Sequence, residues 1–233
     1  MRYGKRILSI IALLSAAVLI LIGSRRGSSL APYGEPDTVL KTQVCIESGD
    51  LLGSGSIWEI GEDCITVVTA SHVISDPEDI SALFPGGSVF KAEIVTNDPS
   101  RDYCFLVIRP GDGGRGGEAF DGINCTQVRP ATSLPDAGAR VFMALPFSLK
   151  SDNIGTVGLE GENSDTSVSV GTVISPSVYS EDFSENVIFC NIDVSEGMSG
   201  GGLFDDAGDY LGFLIGGTDE GAGVFLPVEA LVR

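Results

Sequence analysis

Apolar residues fall along the chain in one long block and then in many short ones. Ile7 to Ile22 is an unbroken apolar or small stretch, ILSIIALLSAAVLILI. After it, short β-type runs recur between turn residues, at Val39–Ile46, Ser54–Ile60, Ile65–Ala70, Val89–Val95, Tyr103–Ile108, Arg140–Leu145, Val168–Ile174, Val187–Ile192, Tyr210–Ile215 and Val224–Val228. Several alternate by face, as Phe90, Ala92 and Ile94 do, and Val168 with Val170; this is the period of a half-buried strand. ITVV at 65–68 is continuously apolar, as a strand covered on both sides would be. No long amphipathic helix is apparent. The one late helix candidate is Pro227–Arg233, with its proline favourably near the start. Ten short strands separated by turn residues predict an all-β barrel or sandwich architecture.

The segment GDGGRGGEAFDG, 111–122, interrupts this pattern with six glycines and almost no apolar content. It reads as the start of a linker, about 111–135, between a β unit at about 38–110 and another at about 136–233. A second polar stretch, 150–166, reads as a surface loop. Glycine totals 31 of 233 residues, about twice the usual ~7%, in keeping with frequent turns.

Charge divides the chain in two. Arg2, Lys5, Arg6, Arg25 and Arg26 are five of its 14 basic residues, and no acidic residue precedes Glu35. The remainder holds nine Lys and Arg against 32 Asp and Glu, a balance of −23, compared with −18 for the whole chain. A body so acidic repels phosphate backbones and excludes a nucleic-acid partner. As a helix the 16 residues of the apolar block would reach ~24 Å, slightly short of the ~20 residues of a comfortable membrane span. The basic residues before it would hold the N-terminus in the cytoplasm. Residues 1–23 are therefore expected to be an uncleaved signal anchor or a cleaved signal peptide. The anchor is favoured because Ile22-Gly23-Ser24 is followed at once by Arg25 and Arg26. Ser24 also stands where a lipoprotein would carry Cys. Residues 24–37 read as a Gly/Pro/Ser tether. Either alternative puts the acidic body outside the cytoplasm, periplasmic or extracellular. A single His and five Cys make a His-rich metal site improbable, and neither a metal nor a cofactor is expected.

Three segments carry candidate chemistry. TASH, 69–72, ends the apolar run ITVV and contains the only histidine, His72. NDPSRDYCFLVI, 97–108, places Asp102 at the mouth of an apolar strand. EGMSGGGLFDDAGDYLGFL, 196–214, sets Ser199 among glycines. Singly, each has a plain structural reading: a core histidine, an aspartate capping a strand, a tight turn. Jointly they are what acyl transfer by a serine requires. A neutral hydroxyl is a weak nucleophile and needs an adjacent base. Imidazole suits that task near neutral pH. A carboxylate must fix its tautomer and stabilise the imidazolium. Backbone N–H groups must face the developing oxyanion, and a glycine two residues before the serine lets the loop adopt that shape. The order His, Asp, Ser spans both β units, so the site is expected in the cleft between them.

These segments resemble the trypsin-like, chymotrypsin-fold serine peptidases, and most of all the peptidase domain of HtrA/Deg type. The likeness runs over most of 40–230 through Gly53-Ser54-Gly55, TASHVI, DPSRD, ARVFMALPFS at 139–148, VGTVIS at 170–175, EGMSGGGLF with GDYLGFL, and GVFLP at 223–227. The resemblance implies two six-stranded Greek-key β-barrels with the active site in their cleft. It implies Ser199 as nucleophile, His72 as general base and acid, Asp102 as orienting carboxylate, and the N–H groups of Gly197 and Ser199 as the oxyanion hole. The backbone of Ile215, Gly216, Gly217 and Thr218 would pair with a substrate peptide as an added strand. Protein or peptide substrates are then the expected partners, with the membrane contacted through the N-terminal segment.

The departures matter as well. HtrA-type peptidases usually carry a PDZ domain, and none is expected here because the sequence ends at Arg233. Met198 stands before the nucleophile where zymogen-activated relatives carry Asp, so activation by N-terminal insertion is not expected. Asp193, six residues before Ser199, could favour Lys or Arg at the base of the primary pocket; an Asp satisfied by loop N–H groups is the alternative. Disulfide pairing among Cys45, Cys64, Cys104, Cys125 and Cys190 is left open, with a buried thiol expected for Cys104. Two rival functions are a catalytically silent binding module on the same fold and a structural β-domain. The second leaves the coincidence of His72, Asp102 and Ser199 unexplained.

Overall fold

Residues 39–109, 120, 123–146, 168–219 and 221–231 are described by a computed structural model of the chain. The apolar block 7–22, the tether 24–37, the polar stretch 150–166 and most of 111–122 lie outside the described residues. Twelve strands are found among those described, in two closed antiparallel barrels.

The first barrel contains β1 (Gln43–Ser48), β2 (Leu51–Ile60), β3 (Ile65–Thr69), β4 (Ile80–Leu83), β5 (Val89–Asp98) and β6 (Tyr103–Ile108). It closes in the order β1-β2-β3-β6-β5-β4. The second contains β7 (Arg140–Ala144), β8 (Val168–Ser180), β9 (Glu185–Cys190), β10 (Gly202–Asp205), β11 (Tyr210–Gly217) and β12 (Gly223–Pro227). It closes as β10-β11-β12-β9-β8-β7. In each barrel the fourth strand returns beside the first, which is the Greek-key order. Closure removes the exposed edges that short strands would otherwise present.

Inward alternation explains the first barrel. Phe90 and Ala92 of β5 are buried, and β3 is buried along most of its length. Two strands escape the pattern of the sequence. β4 and β10 have four residues each, and both lie among turn residues that obscure them. Two expectations are corrected. Val39 and Leu40 lie in a helical turn closed by Thr42 N donating to Val39 O (3.0 Å), so β1 begins at Gln43. Pro227–Arg233 is not a regular helix: Pro227 ends β12 and a single 3-10 turn, Val228–Ala230, follows. Val168 and Val170 share a face as the alternation indicates, and that face is the outer one, with Val170 52% exposed. β8 runs on to Ser180 through two register shifts, which accommodate Pro176.

One buried cluster, aromatic rings among aliphatic side chains, joins the barrels. Phe142, Phe204, Phe213 and Tyr210 of the second barrel share one buried cluster with Ile46, Val67 and Leu106 of the first. Phe142 stacks on Phe204 at 5.6 Å, and Phe204 meets Tyr210 edge-on at 5.3 Å. The connection between the barrels is pinned to both. Val128 N donates to Ile57 O (2.8 Å), and Tyr210 N donates to Arg129 O (2.7 Å). The five cysteines are all unbridged thiols. Burial, with Glu47 second, pushes Cys45 up to about 11. Burial pushes Cys104 and Cys190 up to about 12.

Candidate active site

β3 delivers the histidine. The strand stops at Thr69 and the chain turns through a 3-10 turn, Ser71–Val73. Ser71 and Val73 are buried, which leaves the His72 ring half-exposed between them. Asp102 comes from the turn between β5 and β6. It is buried and has φ +57°, a left-handed conformation that Asp tolerates better than most residues. His72 N donates to Asp102 Oδ1 at 2.9 Å, and His72 Nδ1 lies 2.7 Å from Asp102 Oδ2. Both carboxylate oxygens thus hold the same residue. One fixes the backbone of His72 and the other its ring.

The turn that carries Asp102 is itself tied down. Arg101 Nε donates to Asp98 Oδ2 (2.9 Å), Nη2 to the Tyr103 hydroxyl (2.9 Å) and Nη1 to Ala230 O (3.2 Å). Its guanidinium also lies 4.9 Å from the Tyr103 ring centre. The Ser100 hydroxyl, and Arg101 after it, hold the Asp98 carboxyl below its ordinary range. The aspartate turn of the first barrel is in this way fastened to the C-terminal turn of the chain.

Ser199 lies half-buried between Gly197 (φ +86°) and Gly200 (φ +85°). Met198 N donates to Ser195 O (3.2 Å) and Gly201 N to Met198 O (2.9 Å), so the loop is a pair of consecutive turns. The N–H groups of Gly197 and Ser199 have no hydrogen-bond partner among the described residues. Gly53-Ser54 of β2 is the meeting point of the His72 and Ser199 segments. Ser54 N donates to Ser199 O (2.7 Å), and Thr69 Oγ1 donates to Ser54 O (2.7 Å). A Cβ on Gly53 would stand 2.7 Å from Val73, the neighbour of His72, and 3.2 Å from Ser199 O. No hydrogen bond joins His72 to Ser199 in the structure; such bonds are often long without substrate and tighten in the reacting complex.

The remaining sequence candidates lie at the end of β11 and in the segment after β9. β10 pairs with β11 only as far as Phe213, and Ile215 is skipped by the register with β12. The stretch from Ile215 to Gly217 therefore has one side unpaired among the described residues. Gly217 N-terminal to Thr218 leads into a turn closed by Thr218 N donating to Ala222 O (2.9 Å). Asp193 is exposed after β9, with Oδ1 3.8 Å from where a Cβ on Gly221 would sit. No group of three or more His, Cys, Asp or Glu suited to a metal ion occurs among the described residues.

Gln43 is a site residue that the sequence reading passed over. It is fully buried in β1, and its Oε1 accepts from Gly202 N (3.0 Å) while its Nε2 donates to Ser56 Oγ (3.1 Å). It thus joins the first barrel to the strand that follows the Ser199 loop. The available signal was an amide side chain at the head of the apolar run Val44-Cys45-Ile46.

The comparisons with known proteins come to the same architecture. A family model described as a trypsin-like peptidase domain matches residues 53–213, more than half of the chain. The inactive form of the Rv3671c protease is 21% identical, with a TM-score of 0.61 over 88% of this chain and 93% of that one. The active form of the Rv3671c protease from M. tuberculosis is 19% identical, with a TM-score of 0.61 over 88% and 90%. A serine endoprotease from Yersinia pestis is 18% identical, with a TM-score of 0.63 over 88% of this chain and 65% of that one. No curated protein matches the sequence.

Proposed function

The chain belongs to the trypsin-like peptidase domain family, and on that premise we propose that it is a serine endopeptidase acting through Ser199, His72 and Asp102. The observation that carries the reading is the double hold of Asp102 on His72, at 2.9 and 2.7 Å. Because Nδ1 faces the carboxylate, it carries the ring proton, and Nε2 is the nitrogen left to act as base. Nε2 takes the proton of Ser199 Oγ as that oxygen attacks the peptide carbonyl, and Asp102 stabilises the imidazolium that forms. The oxyanion is received by the Gly197 and Ser199 N–H groups, which internal bonds leave uncommitted. His72 then protonates the leaving amine. Water, activated by the same nitrogen, hydrolyses the acyl-enzyme and restores Ser199.

The substrate lies along Ile215, Gly216, Gly217 and Thr218 as an added strand, because that side of β11 has lost its partner β10. Main-chain pairing of this kind accepts many sequences. The enzyme is of HtrA-like type and works outside the cytoplasm, tethered by residues 1–23; the basic flank and apolar block Ile7 to Ile22 support this. Hydrolysis of unfolded casein tests the reading. The protein cleaves it, Ser199→Ala and His72→Ala do not, and cleavage that survives His72→Ala contradicts the mechanism.

A further inference from the structure

His72 and Asp102 belong to the first barrel and Ser199 to the second, so their alignment depends on how the barrels are registered. On the Ser199 side the register is set by Ser54 N to Ser199 O (2.7 Å) and by Gly202 N to Gln43 Oε1 (3.0 Å). On the Asp102 side the link is Arg101. Its Nη1 donates to Ala230 O (3.2 Å), in the turn that follows β12 of the second barrel. The same guanidinium donates through Nε to Asp98 Oδ2 and through Nη2 to the Tyr103 hydroxyl, both at 2.9 Å. Arg101 and Tyr103 are the two chain neighbours of Asp102, so their side chains form a clip around its backbone. Tyr103 is itself buried. Asp98 closes the turn from the other end, with Oδ1 accepting from Ser100 N (3.1 Å) and Arg101 N (3.3 Å).

Asp102 requires such a hold. A residue other than glycine keeps φ +57° only where its surroundings over-determine it. In that conformation its two carboxylate oxygens meet the N–H and Nδ1 of His72 together, at 2.9 and 2.7 Å. An isolated surface ion pair would be too weak to impose this. Arg101 is not isolated: its side chain is only 26% exposed, and its planar fork engages the end of β5, the start of β6 and the turn after β12 at once. The Asp98 hydrogen bond first, with the Glu185 charge of β9 among the lesser causes, pushes Arg101 above its ordinary value. Resting on the peptidase reading above, we propose that Arg101 is a positioning residue for the reaction: it locks Asp102 in its left-handed conformation and registers it against the second barrel, so that the His72 ring is held for Ser199.

The test compares wild type with Arg101→Met, Arg101→Lys and Tyr103→Phe in the full chain. Three quantities are read on each: the rate of fluorophosphonate labelling of Ser199, kcat and KM on a casein peptide, and the NMR signal of the His72 Nδ1 proton. His72 is the only histidine, so that signal is unambiguous; it lies far downfield while the proton is bonded to Asp102. Arg101→Met keeps the stem and removes the fork. It is expected to slow labelling and lower kcat by about 10–100-fold, the scale of a misplacement of up to 1 Å, with KM held and the proton signal moved upfield or lost. Arg101→Lys restores part of both. Tyr103→Phe removes one acceptor, gives a smaller change in the same direction, and serves if Arg101→Met does not fold. Variants that lower Tm but label at the wild-type rate overturn the proposal, because Arg101 then only stabilises the fold. A proton signal unmoved in every folded variant overturns it as well. Folded wild type that is never labelled sinks the peptidase reading, and the role of Arg101 in the reaction with it.

Discussion

Ser54 N donates to Ser199 O across 2.7 Å, so the carbonyl of the proposed nucleophile is held by the opposite barrel. The next residue explains how the strands come so close. A Cβ on Gly200 would fall 1.8 Å from Ser54 O and 2.7 Å from Thr69 Oγ1. Gly200 also has φ +85°, where side chains are strained. Gly200→Ala is expected to cost about 3 kcal/mol or more from overpacking and backbone strain together. At about 2–4 °C per kcal/mol for a domain of this size, Tm falls by about 6–12 °C. Thermal unfolding followed by circular dichroism checks this; an unchanged Tm contradicts the described contact.

Gln43 makes the second link between the barrels, 159 positions from Gly202. Gln43→Ala leaves the Gly202 N–H buried without its acceptor. The cost of such an orphaned group is about 1–3 kcal/mol, beyond what the lost side-chain volume removes. Urea unfolding reads it as a lower midpoint with an unchanged slope. A variant as stable as wild type would mean that the amide finds another acceptor.

Tyr210 gives the opposite sign. Its hydroxyl is buried without a hydrogen-bond partner among the described residues. Burial raises its pKa; Ser56 lies near enough to oppose that slightly, but not in hydrogen-bonding geometry. Tyr210→Phe removes the unsatisfied group and keeps the ring against Phe204. Stability is expected to hold or rise by up to about 1–3 kcal/mol. A clear loss of stability in the same unfolding experiment would show that the hydroxyl has a partner after all.

Thiol chemistry supplies a prediction that does not depend on activity. The thiolate is the reactive form, and burial pushes Cys104 and Cys190 up to about 12 and Cys45 up to about 11. At pH 8 these three thiols remain protonated and should resist alkylation in the folded protein. Cys64 and Cys125 are partly accessible and should react first. Iodoacetamide labelling with peptide mapping checks the order. Rapid native labelling of Cys104 would contradict its place in β6, where it is fully buried.

Much of the fold could be read from alternation and punctuation. β6 begins and ends where the apolar run Tyr103–Ile108 does, because Asp102 and Pro110 bracket it in sequence. β4 could not be read so. Its four residues, ISAL, are too short to show a period, and pairing with β1 and β5 makes them a strand. β8 was legible only in part: Val168 and Val170 share a face as their alternation indicates, but alternation alone does not say which face is inward, and the buried residue that β8 contributes is Val173. In the candidate site, the single histidine pointed to His72, and the DPSRD turn to its partner Asp102. Gln43 gave a weaker signal, an amide at the head of an apolar run, because its role depends on Gly202, which only folding brings beside it.

The central claim is that Ser199 is a nucleophile activated by His72. The most direct measurement is fluorophosphonate labelling of the folded protein, read by intact mass and by mapping the modified peptide. The expected result is one adduct on Ser199, absent in Ser199→Ala and strongly slowed in His72→Ala. A folded wild-type protein that stays unlabelled, or an adduct on any other residue, would contradict it.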